Sequence, residues 1–179
     1  MSRTAARPGQ AGSPPLEIRS PVVISGGFEA GLEAAQSGLE PVAVPVSTFA
    51  DDRGWSFMNM LQGVLTTKGQ VNFSVQYPGV VKAWHRHDRQ TDFWCCLQGN
   101  LKVGVYRERD HVAWLHVMGE KRPSILVIPP PLWHGATAIG GAPAGLLYYV
   151  THAYDPDSPD EHRRAWDDIA EFPWGMRHG

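Results

Sequence analysis

Four residues carry the chemistry this sequence offers. His85 and His87 stand one residue apart in "GVVKAWHRHDRQTDFWCCLQG" (79–99), Asp92 follows them, and His134 closes "IPPPLWH" (128–134). Side chains alternate along a strand, so His85 and His87 point to one face, about 7 Å apart along the chain. A turn or strand crossing over residues 88–91 would return Asp92 to the same interior. The rigid proline run would deliver His134 from another strand end. Three imidazoles and a carboxylate converging inside a barrel form a site for one divalent ion: Zn, Fe, Mn, Ni or Co. His111, His116, His152, His162 and His178 are expected to be ordinary surface or core residues. Trp84 and Trp133 each precede a candidate ligand by one residue, so alternation sends them to the opposite face, into the core.

The elements that must position these groups are short. "FEAGLEAAQSGLE" (28–40) has helical spacing and a glycine stop, which predicts a short helix. From Pro41 onward, apolar runs broken by Gly, Pro, Asn and Asp predict strands at 42–49, 55–61, 71–77, 80–84, 93–97, 101–107, 113–118, 124–129 and 145–154. Nine or so such strands at close spacing point to an antiparallel sandwich or barrel. "QGN" (98–100) reads as a tight hairpin and "YRERD" (106–110) as a solvated hairpin end. "SPDEHRRAWDDIA" (158–170), with Ser158 or Asp160 as N-cap, predicts a short C-terminal helix.

Length and composition set the frame. At 179 residues, one domain with a proper core is expected, preceded by a loose arm over residues 1–20 that is rich in Pro, Gly, Ser and Ala. A formal charge of −2 gives no argument for nucleic acid or an anionic membrane, and no run approaches the ~18 apolar residues of a spanning helix. Cys95 and Cys96 are neighbours on a strand, are expected to face opposite ways and not to pair, so the chain reads as reduced and cytoplasmic. Neither is expected to be a nucleophile. The first twenty residues lack the apolar core of a secretory signal.

Residues 79–99 resemble the first motif of the cupin superfamily, G-x5-H-x-H-x3-4-E-x6-G. Every spacing is kept, and Asp92 stands where Glu is usual. "PPPLWH" (129–134) keeps the proline and histidine of the second motif, P-x-G-x-x-H, with Pro131 at the glycine position. "STFADDRGWSF" (47–57), "VIPPPLWHGATAI" (127–139) and "LLYYVTHAYDPDSPDEHRRAWDD" (146–168) are similar to the dTDP-4-dehydrorhamnose 3,5-epimerase branch of that superfamily.

The resemblance implies an all-β, RmlC-like cupin fold: a double-stranded β-helix, or jelly-roll barrel, with a short helix near each end. It also implies a homodimer formed through strand exchange or sheet edges, and a substrate that is a nucleotide-linked keto sugar or a related polar carbonyl compound. The branch removes protons alpha to a carbonyl and uses no metal. Carried over by position, His85 matches its catalytic base and Tyr148 its catalytic acid. His134 matches a histidine beside the sugar, Arg53 an arginine on the nucleotide diphosphate, and Lys82 a substrate-binding arginine. Tyr148 and Tyr149 must face opposite sides, so only one can serve.

At Asp92 the branch carries a lysine instead. A carboxylate there, with His87 added, turns a proton-transfer site into a metal site at His85, His87, Asp92 and His134, whose ion can polarise a substrate carbonyl. The sequence therefore predicts a metal-binding epimerase or isomerase of carbohydrate biosynthesis. An Fe(II)-dependent cupin dioxygenase and a non-catalytic sugar-binding cupin are its two rivals.

Overall fold

The computed structural model describes residues 14–176. The strands are Glu17–Arg19 (β1), Val22–Val23 (β2), Val42–Pro45 (β3), Thr48–Asp51 (β4) and Gly54–Phe57 (β5). Gln70–Gln76 (β6), Val81–Arg86 (β7), Asp92–Gln98 (β8), Asn100–Arg107 (β9) and Val112–Gly119 (β10) follow. Ser124–Ile128 (β11), Trp133–Ala138 (β12), Ala144–Val150 (β13) and His162–Arg163 (β14) complete the set. The helix, Phe28–Gly38 (α1), falls within the range its spacing predicts.

Two six-stranded sheets face each other, with orders β1-β10-β9-β12-β7-β14 and β2-β3-β11-β8-β13-β6; β4 and β5 form a separate hairpin. Alternation along the strands fills three cores. Leu101, Val103, Val105, Trp94, Leu126 and Ile128 pack between the sheets. Val42, Val44, Phe93, Cys95, Val127 and Tyr149 face the other way, against Ala35 of α1. Trp84, Tyr106 and Trp133 lie on the outer side of the first sheet under Ile169, Phe172 and Trp174. Both faces of each sheet are therefore covered over much of their area, as the jelly-roll expectation requires. Cys95 and Cys96 point into different cores; burial pushes their thiols up to about 12 and about 11.

Four sequence expectations need correction. "QGN" is not a hairpin: β8 and β9 belong to different sheets, and Gly99, at φ 69°, turns the chain from one sheet into the other. The predicted helix over 158–170 is absent. Pro159 and the pairing of β14 with β7 (His162 opposite Arg86, Arg163 opposite His85) hold that segment extended, and turns follow. The strands predicted at 42–49 and 55–61 are shorter, because residues 46–47 and 58–61 leave the sheets. Part of the N-terminal arm is ordered, since β1 pairs in parallel with β10; residues 1–13 of the arm and His178 lie outside the described residues. No helix among the described residues is long and apolar enough to cross a membrane.

Candidate active site and metal centre

β7 and β12 are neighbours in one sheet, β8 and β13 in the other, and His85, Asp92, His134 and Tyr148 project from these four strands into the space between. His85 lies on β7 opposite His134 on β12, with ring centroids 4.2 Å apart. His87, just past the end of β7, places its ring 5.7 Å from that of His85 and 5.5 Å from that of His134. Asp92 opens β8. The potential ligand atoms of His85, His87, Asp92 and His134 all lie within 4.8 Å of one another. The turn over 88–91 does return Asp92 to the interior.

The polar partners fix how each group presents itself. His134 donates from Nδ1 to the Leu132 carbonyl at 2.9 Å, which leaves its Nε2 lone pair facing inward. That nitrogen is buried, stands 3.4 Å from Asp92 Oδ2, and has no hydrogen-bond partner among the described residues. His87 Nδ1 donates to the Asp160 carbonyl, which again leaves Nε2 for the site. Asp92 accepts from Gln90 Nε2 at 2.7 Å and from Trp94 Nε1 at 3.0 Å. Burial alone would raise its pKa, but the adjacent His134, then His87 and His85, outweigh burial and lower it to about 2. Burial acts the other way on His85: with help from His134, His87 and Arg163, and partly opposed by Asp92, it holds the pKa well below the usual imidazole value. At neutral pH Asp92 is thus an ionised carboxylate facing a neutral His85, with the Nε2 atoms of His87 and His134 beside them. That donor set suits a divalent cation, and the unpartnered buried Nε2 of His134 is the kind of lone pair an ion satisfies. The cluster could hold a metal.

His85, His87 and Asp92 of the cluster line a cavity of about 850 Å³, and His134 stands behind them, outside its lining. Tyr148 on β13 lines it, half-buried, and its hydroxyl has no hydrogen-bond partner among the described residues. Burial, then Asp92 and Glu161, raise its pKa, so at neutral pH it is a phenol able to donate a proton. Tyr149 points away, as alternation requires, and accepts from the Thr66 N–H at 2.9 Å.

Lys82 also lines the cavity, although strict alternation would set it opposite His85. The pairing shows why it does not. On β7, residues 82 and 85 face residues 136 and 134 of β12, so three steps oppose two and a bulge at 83–84 turns Lys82 and His85 to one side. Gly135 is the counterpart of this bulge: a Cβ there would sit 2.2 Å from the Ala83 Cβ. Lys82 Nζ donates to Ser74 Oγ and to the Val75 carbonyl, both at 3.1 Å. Arg53 is not brought in. It sits on the β4–β5 hairpin, exposed, ion-paired with Asp51 and outside the cavity lining.

Several lining residues escaped the sequence reading: Asn72 and Ser74 on β6, Gln90, Arg89, His152 and Asp160. One signal was available. In β6, "QVNFSVQ" alternates polar and apolar residues, and it is the polar set, Gln70, Asn72, Ser74 and Gln76, that faces the cavity.

The two facing sheets have the RmlC-like cupin fold of solved sugar epimerases. A solved dTDP sugar isomerase from Desulfovibrio desulfuricans G20 has the same fold, with TM-score 0.64 and 22% identity, covering 75% of this chain and 89% of that one. Residues 49–162 match the family described as the polysaccharide biosynthesis C-terminal domain, and the chain belongs to that family. It is 37% identical over 134 residues to the spore coat polysaccharide biosynthesis protein SpsL of Bacillus subtilis, covering 70% of this chain and 88% of that protein. It is also 41% identical over 101 residues to the probable low-salt glycan biosynthesis epimerase Agl13 of Haloferax volcanii, covering 53% of this chain and 65% of that protein.

Proposed function

We propose that the chain is an epimerase or isomerase acting on a nucleotide-linked keto sugar or a related polar carbonyl compound, with one divalent ion held by His85, His87, Asp92 and His134. One observation carries this reading: the buried, unpartnered Nε2 of His134 beside an ionised carboxylate and two further imidazoles, which line a cavity together with Tyr148. Its relatives in polysaccharide and glycan biosynthesis, one of them named as an epimerase, support the substrate class.

An ion held there would act as a Lewis acid on a substrate carbonyl oxygen and acidify the adjacent C–H. The chain's own residues supply the rest. Tyr148 returns or relays a proton from the β13 side, while Asn72, Ser74 and Lys82 offer donors and acceptors to sugar hydroxyls. The two roles predicted for His85 exclude each other within one state, because a nitrogen that holds an ion cannot take a proton. A second reading therefore makes His85 the base of an ion-free epimerase. It is favoured by the neutrality of His85 and by the fact that no carbonyl among the described residues fixes its ring, in contrast with His87 and His134.

Incubation with a dTDP-4-keto sugar in D₂O tests both. Deuterium should enter the position alpha to the carbonyl, stop on chelation and resume when the ion is restored. Exchange indifferent to chelation selects the ion-free reading. Tight sugar binding without exchange, or consumption of O₂, overturns the epimerase.

We also propose a homodimer across the β6 edge. Val71, Phe73 and Val75 project outward from this edge strand and stay exposed, an apolar row that a second copy would cover. A monomer in sedimentation at micromolar concentration would exclude it.

A further inference from the structure

We propose that Asp160 is the positioning residue of the ion site: it sets the tautomer and direction of His87 and the shape of the turn that separates His87 from Asp92. This rests on the ion-binding reading above. Two of the four ligands bracket residues 88–91, so that turn fixes their separation. Its backbone is tied to one distant side chain. Asp160 Oδ1 accepts the Asp88 N–H at 2.9 Å, and Oδ2 accepts the Arg89 and Gln90 N–H groups at 3.0 and 3.2 Å. Three successive backbone donors converge on one carboxylate, whose side chain is only 12% exposed.

The same residue's carbonyl takes the Nδ1–H of His87, leaving Nε2 as the nitrogen with a free lone pair. The effect reaches the other ligand too. Gln90, held at its N–H by Asp160, passes its own Nε2–H to Asp92 Oδ1 at 2.7 Å. Asp160 comes from the segment that β14 docks onto β7, where Arg163 pairs with His85. The segment leading into β14 thus completes a site whose ligands all lie on other strands and loops.

A simple clasp would also tie this loop down, and the neighbouring contact from the same segment provides the comparison. His162 Nε2 bonds Asp88 Oδ2 at 2.8 Å, on the surface, without touching a ligand. The test measures Co²⁺ affinity by competition with a chromophoric chelator, the visible absorption of the Co²⁺ complex, and thermal unfolding of the ion-free proteins, for wild type, Asp160→Ala, Asp160→Asn and His162→Ala.

Asp160→Ala should lose about 10- to 100-fold in Co²⁺ affinity and shift the absorption band. Asp160→Asn keeps one acceptor oxygen, should remain folded and should fall in between. His162→Ala should match wild type in affinity and spectrum. Wild-type affinity and spectrum in folded Asp160→Asn and Asp160→Ala would overturn the proposal, as would an equal loss in His162→Ala. A wild-type protein that takes up no Co²⁺ overturns the ion-binding reading first, and the proposal with it, so the two failures are told apart in the wild-type measurement.

Discussion

His116 and His134 are both buried, 5% and 2% exposed, yet they do opposite things. His116, on β10, bonds Ser124 Oγ of β11 through Nε2 at 2.9 Å, and burial, then Arg122, lower its pKa to about 4. It is a neutral ring inside a satisfied polar pair. His134 spends Nδ1 on the Leu132 carbonyl and turns an unpaired Nε2 toward Asp92 and two more imidazoles. Burial alone therefore does not mark a site. What marks it is a buried lone pair left without a hydrogen-bond partner, facing a carboxylate and two more imidazoles.

The largest effect should separate the two histidines directly. His134→Ala removes a ligand and should cut epimerase turnover about a thousandfold or more, while His116→Asn should leave it within about twofold. Steady-state assays on both variants check this, and similar losses would erase the distinction.

The adjacent tyrosines sharpen it next. Tyr148→Phe should slow turnover by about 10²-fold or more at nearly unchanged stability. Tyr149→Phe loses the bond from Thr66 and should cost about 1 kcal/mol in urea unfolding with little change in rate. The reverse pattern would mean that the wrong face of β13 has been assigned.

A last effect concerns pH. The folded-state pKa of His116 lies below its unfolded value of 6.5, so its contribution is fully present above pH 6.5 and is lost as pH falls through about 4. About 3 kcal/mol is at stake over that window. His116→Asn should flatten the fall in urea midpoint between pH 6.5 and 4, and an unchanged slope would contradict the assignment.

Much of this was legible in the sequence because it depends on local periodicity. The shared face of His85 and His87 and the opposed faces of Cys95 and Cys96 and of Tyr148 and Tyr149 follow from strand alternation, and the inward return of Asp92 from the turn over 88–91. What could not be read depends on distant partners. The bulge that brings Lys82 beside His85 exists only in the register of β7 against β12. Gly99 looks like any hairpin glycine until β9 is seen to pair with β10 and β12 rather than β8. Residues 158–170 carry helix-start signals, but Asp160 caps a turn 70 residues upstream instead of its own helix. Arg53 keeps the place in sequence that the resemblance gave it and yet stands outside the cavity of its own chain.

The central claim is that four residues from three parts of the chain hold one ion. The most direct test is the metal content of the purified, untagged protein by plasma mass spectrometry, beside His85→Ala and His87→Ala. The account predicts one equivalent in the wild type, lost in both variants. No metal in the wild type, even after anaerobic reconstitution, would contradict it and leave His85 as the base of an ion-free epimerase.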